Sequence, residues 1–403
     1  MSSTSDVSRS ARMGHRGGFA VIALAFTTAM AFSTVPTPLY ALYQERDGFP
    51  TVVVTVVFAA YAVGVAVSLY LAGHVSDWLG RRRVILVALA LELLSAVLFL
   101  AWPEVPGLLA ARLVCGTGVG MLTATATAHL SELRAIARPD AGPDSAAVVS
   151  SLANIGGLSL GPLVSGLLAT WAPEPLVTPY VVFLVLLAVA VVLVASVPET
   201  VERREERRAY RPQRIAVPAE GRATFWAAGI GAFAGFSIFG LFMSLTPTVL
   251  AVTFSLTARW IAGGVPFLFF AAAALTQVAT VRLALRRQLV LALALVVPGV
   301  IGFAAGVVAG VLPLLIAGGA VAGAGVGVLF RSSLGVAGTL APAGRRGEVL
   351  AAVFLISYVG LAVPTLLIGA ALVAFPLVPV LVVFAVLMLA LVIWATPRMI
   401  RRA

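Results

Sequence analysis

The chain has 403 residues, of which 61% are hydrophobic and 11% charged, where a soluble domain carries roughly a quarter charged. That excludes a water-soluble globular protein and leaves little room for a separate soluble domain. Lipid accepts it, because helices of about 20 apolar residues satisfy their own backbone there. The net charge of +11 comes from 27 arginines and no lysine, and its placement between apolar runs points to membrane topology rather than to a nucleic-acid partner.

In chain order, residues 1–17 form a basic tail with Arg9, Arg12 and Arg16. The apolar run at 18–43 is too long for a cleavable signal and lacks a small-residue cleavage site, so it is read as a retained first span. Further spans are predicted at 51–73, 84–102, 107–133, 146–171 and 177–197. A polar linker at 199–222 follows, whose ERREERR core alternates charge. A second set is predicted at 224–250, 258–281, 289–309, 311–338, 347–373 and 376–396. The expected organisation is a tail (1–17), a six-helix bundle (18–198), a linker (199–222), a second six-helix bundle (223–397) and a tail (398–403). This is an all-α membrane protein of twelve transmembrane helices in two pseudo-repeated bundles. Pro36, Pro38, Pro162, Pro247, Pro266, Pro298 and Pro364 fall inside the runs and predict bends.

Arginine sorts the loops. Arg46 and Arg259 lie on one side, Arg112 and Arg331 lie inside runs, and every other arginine lies in the tails, the linker or the loops of the opposite side. By the positive-inside rule that side is cytoplasmic, as are both termini, and the expected location is the cell membrane. Cys115 is the only cysteine, so no intramolecular disulfide exists.

The halves are related. A shift of 207 residues lays Gly116-Thr-Gly-Val-Gly-Met-Leu122 over Gly323-Ala-Gly-Val-Gly-Val-Leu329, and a shift of 203 places Gly157 on Gly360 and Gly166 on Gly369. Thr37-Pro38 in the first span likewise corresponds to Thr246-Pro247 in the seventh. Six plus six spans of the same sense form the parallel-repeat plan of one large transporter class.

The loop after the second span reads Gly73-His-Val-Ser-Asp77-Trp-Leu-Gly80-Arg81-Arg82-Arg83. Its spacing places Asp77 and Arg81 one helical turn apart at a membrane boundary. The loop resembles the signature Gly-x-x-x-Asp-Arg-x-Gly-Arg-Arg/Lys of the major facilitator superfamily, with Trp78 where an arginine is usual. The resemblance implies a latch at the cytoplasmic face, in which this pair bridges to Glu132 at the inner end of span four and to the start of span eleven, Arg345 to Glu348. Arg112-Leu-Val-Cys-Gly116-Thr-Gly118 resembles the family's Arg-x-x-x-Gly-x-Gly motif. Gly157-Leu-Ser-Leu-Gly161-Pro162-Leu-Val-Ser-Gly166 resembles the Gly-Pro signature of its 12-span drug/proton antiporter branch, with Ser165 replacing one glycine. Pro198-Glu199-Thr200 is also similar to such exporters. Small residues at this spacing let another helix approach closely.

Many drug/proton antiporters place an acid in span one, and this chain has none there. The proton-coupling candidates are Glu92, Arg112 and His129. A carboxyl at mid-bilayer is costly to ionise, and Glu92 is expected to pair reversibly with Arg112. Arg331 lies deep in span ten, where an arginine normally faces a cavity or a counter-ion. Phe233, Phe236, Phe239 and Phe242 form a stripe at steps of three. Core packing explains such a stripe, and so does one wall of an apolar pocket shared with Phe58, Tyr61 and Tyr358. Asn154, Ser159, Gln277 and Tyr358 are the polar groups placed to orient a ligand.

No P-loop, Cys/His cluster or nucleophile elbow occurs, so no cofactor, metal or enzymatic activity is expected. The expected partners are a small amphiphilic or aromatic molecule, protons and the bilayer, for a monomeric efflux transporter. The alternative is an uptake permease for a sugar, organic acid or other metabolite. The carboxyl half lacks the acidic and glycine positions of the latch loop, so gating is expected mainly before residue 200.

Overall fold

The computed structural model describes residues 13–73, 75–140, 142, 144–201, 212–342 and 345–402. Arg9, Arg12 and the charge-alternating core at 202–208 lie outside these residues. Among the described residues there is no strand, and twelve helices are long and apolar enough to cross a membrane. They are α1 His15–Asp47, α2 Thr51–Ala72, α3 Arg81–Ala101, α4 Val105–Ala137, α5 Ser145–Trp171 and α6 Thr178–Ala195. The second set is α7 Arg222–Ser244, α8 Arg259–Ala279, α9 Leu285–Ala309, α10 Leu312–Thr339, α11 Arg346–Ala371 and α12 Leu377–Ile400.

Two breaks fall at the paired Thr-Pro sites. α1 is helical over His15–Thr34, tightens into a 3-10 turn at Thr37–Leu39 and resumes at Tyr40–Asp47. The seventh span, expected to run to residue 250 with a bend at Pro247, ends at Ser244, and a separate helix runs over Thr246–Phe254. Proline has no N–H to give to the preceding turn, so Pro36 and Pro38 interrupt one helix and Pro247 starts another. α5 carries a wide π-helical turn at Leu152–Gly156, where an uninterrupted helix was expected.

The packing repeats. α4 lies against α1, α2 and α3, as α10 lies against α7, α8 and α9. α1 also packs on α5 and α6, as α7 packs on α11 and α12, and α3 packs on α6 as α9 does on α12. A Cβ on Gly116 would strike the Tyr61 carbonyl, and one on Gly323 the Phe269 carbonyl. The glycines thus bring α4 onto α2 and α10 onto α8 at backbone distance.

Two seams join the halves, α5 on α8 and α2 on α11, and the same repeat relation exchanges them. Away from the arginine-rich end both are tight. Gly166 faces the Arg259 carbonyl and the Cα of Gly263, and Gly369 faces Thr55. At the arginine-rich end the linker enters the second seam. The Gln213 amide donates to the Tyr70 carbonyl at 2.8 Å, and the Ala216 amide donates to the Glu348 carbonyl at 3.3 Å.

Candidate functional site

At the arginine-rich end of the first half, Arg81 gathers the polar groups. Its guanidinium donates to Asp77 at 2.5 Å, to the Ser76 hydroxyl at 2.7 Å and to Glu132 at 3.0 Å. The Arg81 side chain is 12% exposed, so these charge-assisted bonds are partly shielded from water. Asp77 and Arg81 do not share a continuous helix, as their spacing suggested. Ser76–Leu79 is one turn, Gly80 breaks it at φ 100°, and α3 starts at Arg81. Gly73 ends α2, and Arg82 donates to the Val197 carbonyl at 3.1 Å, tying α3 to the end of α6.

Glu199 was missed as a site residue. Its carboxylate takes the backbone N–H of Arg81 at 2.8 Å and of Arg82 at 3.1 Å, an anion on the positive end of α3. Thr200, also missed, donates to Glu132 at 2.5 Å. The Pro198-Glu199-Thr200 tripeptide held the signal, an acid directly after an apolar span. His129 sits behind this cluster, with Nε2 at 3.2 Å from the Pro198 carbonyl and Nδ1 buried without a partner.

Among the described residues no hydrogen bond or ion pair forms the bridge to α11 that the resemblance implies. Arg345 binds Glu348 at 2.7 Å, and the Asp77 carboxylate takes its hydrogen bond from Arg81. Asp77, 61% exposed, faces a cleft of about 280 Å³ that also touches Tyr70, Gln213, Ile215, Gly347 and Leu350.

A second cavity, of about 400 Å³, lies between the halves. Its first wall comes from α1, α2, α4 and α5 and includes Tyr61, Thr123, Thr127, Ser150, Ser151 and Asn154. The facing wall comes from α7, α8, α10 and α11 and includes Phe236, Phe239, Gln277, Phe330, Arg331 and Tyr358. Phe236 centres the rings, 4.7 Å from Phe330 and 5.4 Å from both Phe239 and Tyr358. Asn154 stands in the π-helical turn of α5, a type of irregularity frequent at functional sites. Gln277 donates to the Gly327 carbonyl at 3.1 Å.

The phenylalanine stripe divides. Phe236 and Phe239 reach the chamber, Phe242 stacks on Phe269 at 4.1 Å, and Phe233 faces an apolar groove with α11 and α12. A step of three falls about 60° short of a full turn, so nine residues carry the stripe to the opposite face. Ser159 does not reach the chamber and donates to the Gly156 carbonyl. Phe58 likewise lies away from it, beneath Arg112.

Arg112 does not snorkel. It is 2% exposed, donates to the Ser33 carbonyl at 2.6 Å and lies 4.4 Å above the Tyr61 ring. Ser33 stands just before the α1 break, and its carbonyl takes a charge-assisted bond there. The expected Glu92–Arg112 ion pair does not form in this conformation. Glu92 is fully buried against Gly118 with the Cys115 thiol beside it, and neither carboxyl oxygen has a nitrogen or oxygen donor among the described residues. Glu92, Arg112 and His129 all lie outside the chamber lining.

The Gly-Pro face of α5 is shared between two helices. Gly157 meets Met30 and Thr27, and Gly161 meets Ala31 and Thr34, all on α1, while Gly166 meets α8. Pro162 lies inside α5, and its carbonyl faces Gly263.

Among solved structures the fold is similar to the human organic anion transporter MFSD10, with TM-score 0.68, 19% identity, and 95% of this chain and 100% of that one covered. It is also similar to the nucleoside transporter NupG, with TM-score 0.72, 12% identity, and coverage of 95% and 99%. A segment of 101 residues is 37% identical to probable inositol transporter 2 of Arabidopsis thaliana, covering 23% of this chain and only 17% of that protein. The family model of the Major Facilitator Superfamily matches residues 18–363, and the chain belongs to that superfamily.

Proposed function

We propose that this transporter is a proton-coupled exporter of small amphiphilic or aromatic compounds, working by alternating access from the cell membrane. The chamber between the halves carries the reading. It lies where a rocking motion of one half against the other exposes it to each side in turn, and its aromatic wall suits apolar cargo. Arginine bias supports a cytoplasmic position for the Arg81 end. The close approach of the seams at the far end supports reading this conformation as cytoplasm-facing. The Gly157–Gly166 motif around Gly161-Pro162, which resembles that of the antiporter branch, favours export.

In this scheme Asp77, Arg81, Glu132 and Glu199 form the latch that stabilises the closed cytoplasmic side. Glu92 carries the proton, with Arg112 as the charge it answers to across the cycle. Substrate-induced proton movement in proteoliposomes, read by an entrapped pH dye over neutral, anionic and cationic aromatic compounds, tests this directly. Export coupled to protons requires at least one compound to move protons against its own flux. Transport without any response to a pH gradient counts against it.

A second reading, uptake of a small metabolite, draws on the segment shared with the inositol transporter. Direction separates the two: an exporter protects an efflux-deficient host from a toxic compound, and an importer rescues growth on a nutrient.

A further inference from the structure

Transport alone leaves the charge of the cargo open, but the two chamber walls differ in a way that bears on it. The first wall offers neutral hydrogen-bonding groups, Thr123, Thr127, Ser150, Ser151 and Asn154. The second offers stacked rings and one cation, Arg331, which directly follows Phe330 on α10. No aspartate or glutamate is among the described residues that line the chamber. Glu92 is fully buried outside the lining, and Glu132 is committed to Arg81 and Thr200. Among the described lining residues, an organic cation entering this space meets an arginine and no carboxylate.

An anion meets a better arrangement. A guanidinium binds a carboxylate or sulfonate through parallel N–H donors. Arg331 is already engaged within the protein, so an acid group adds to that interaction or exchanges with it. The Asn154 side chain makes no hydrogen bond to the described residues, and its amide stays available to a ligand from the opposite wall. A chamber of about 400 Å³ lies near the small end of ligand pockets, which span roughly 300–1,000 Å³. It suits one or two fused rings.

We infer that the chamber selects aromatic monoanions, carboxylates or sulfonates of one or two rings. The acid group rests on Arg331, the rings lie against Phe236, Phe330 and Tyr358, and Asn154 donates from the facing wall. This rests on the chamber being the transport site, and the experiment separates the two. Binding to purified full-length protein in detergent, without any gradient, is measured for 2-naphthoate, 2-naphthamide and 2-naphthylmethylammonium. These three share a ring system and differ in charge. The acid should bind at least ten-fold more tightly than the amide and the amine. Arg331→Gln should remove the gap between acid and amide, and Arg331→Lys should keep most of it; thermal melting confirms that each variant is folded. Equal binding of the three compounds, tighter binding of the amine, or an acid preference that survives in a folded Arg331→Gln protein overturns the inference. Counterflow in proteoliposomes then tests transport by itself. Selective naphthoate binding without counterflow removes the transport reading of the chamber and leaves the anion site. Counterflow of other compounds without naphthoate selectivity does the reverse.

Discussion

Glu199, at the end of α6, caps α3 through the Arg81 amide at 2.8 Å, across 118 positions of sequence. Between them in space stands Gly80, whose φ of 100° belongs to the left-handed side of the map and whose Cβ, if present, would strike the Glu199 carboxylate. The Arg81 cluster is therefore built on a helix N-terminus and a glycine as much as on its ion pairs. Replacing Glu199 by alanine leaves two amides of α3 without their acceptor, a loss of about 1–2 kcal/mol by the usual value of a cap. Gly80→Ala should cost more, since it adds backbone strain of about 1–2 kcal/mol to the loss of the same cap. Melting temperatures in detergent should fall in the order wild type, Glu199→Ala, Gly80→Ala. An unchanged melting temperature for Gly80→Ala would contradict the geometry.

The latch loop, the helix count and the Thr-Pro breaks were legible because each is written in a short stretch of chain. Apolar run length sets a span, and proline sets a break wherever it stands. The Glu199 cap was not legible in that way, since nothing near residue 199 names the amides it reaches. The chamber fell between these cases. Phe236, Phe239, Gln277, Tyr358 and Arg331 all reach it, yet Phe233 and Phe242 leave it because helix rotation carries a three-residue step off one face. The Glu92–Arg112 pair failed for a different reason. Depth in the membrane brings two charges to one level, but side-chain direction is set by packing, and Arg112 turns to Ser33 and Tyr61.

Phe236 and Phe242 allow a clean contrast. Both are buried phenylalanines of α7, but Phe236 lines the chamber and Phe242 stacks within the second half at 4.1 Å from Phe269. Phe242→Ala should lower the melting temperature strongly, through a cavity costing about 3–5 kcal/mol, and leave ligand affinity of the folded fraction near wild type. Phe236→Ala should weaken ligand binding several-fold with a smaller thermal effect. Identical profiles for the two variants would place the binding site elsewhere.

Arg112 holds the Ser33 carbonyl just before α1 breaks. Arg112→Met keeps the length of the stem but deletes the donor, leaving a buried carbonyl unsatisfied at about 1–3 kcal/mol. Arg112→Lys keeps a charge but loses the planar stacking over Tyr61. Both should slow transport, Met more than Lys, and a second change at Tyr61→Leu should cost less in the Arg112→Lys background than alone. Strict additivity of the two losses would show that the 4.4 Å contact carries no coupling.

Glu92 is fully buried with no nitrogen or oxygen donor among the described residues, so glutamine matches its shape while removing the titrating proton. Glu92→Gln should melt within a few degrees of wild type and bind substrate, but lose at least ten-fold in counterflow driven by a pH gradient. Exchange of substrate for substrate, which needs no net proton movement, should survive. Wild-type gradient-driven rates in this variant would remove Glu92 from the coupling scheme.

Gln213 and Ala216 join α2 and α11 through the Tyr70 and Glu348 carbonyls, and Asp77 looks into the same cleft without touching α11. Because the segment at 213–216 shares that cleft, we expect it to leave when Asp77 reaches the start of α11. A disulfide between Tyr70→Cys and Gln213→Cys, in a Cys115→Ser background, should hold the segment in place. The oxidised protein should then bind substrate from the arginine-rich side and fail to turn over, with reductant restoring transport. If the crosslinked protein transports at the reduced rate constant, the cleft closes around the linker rather than by expelling it, and Asp77 must find its partner by another route.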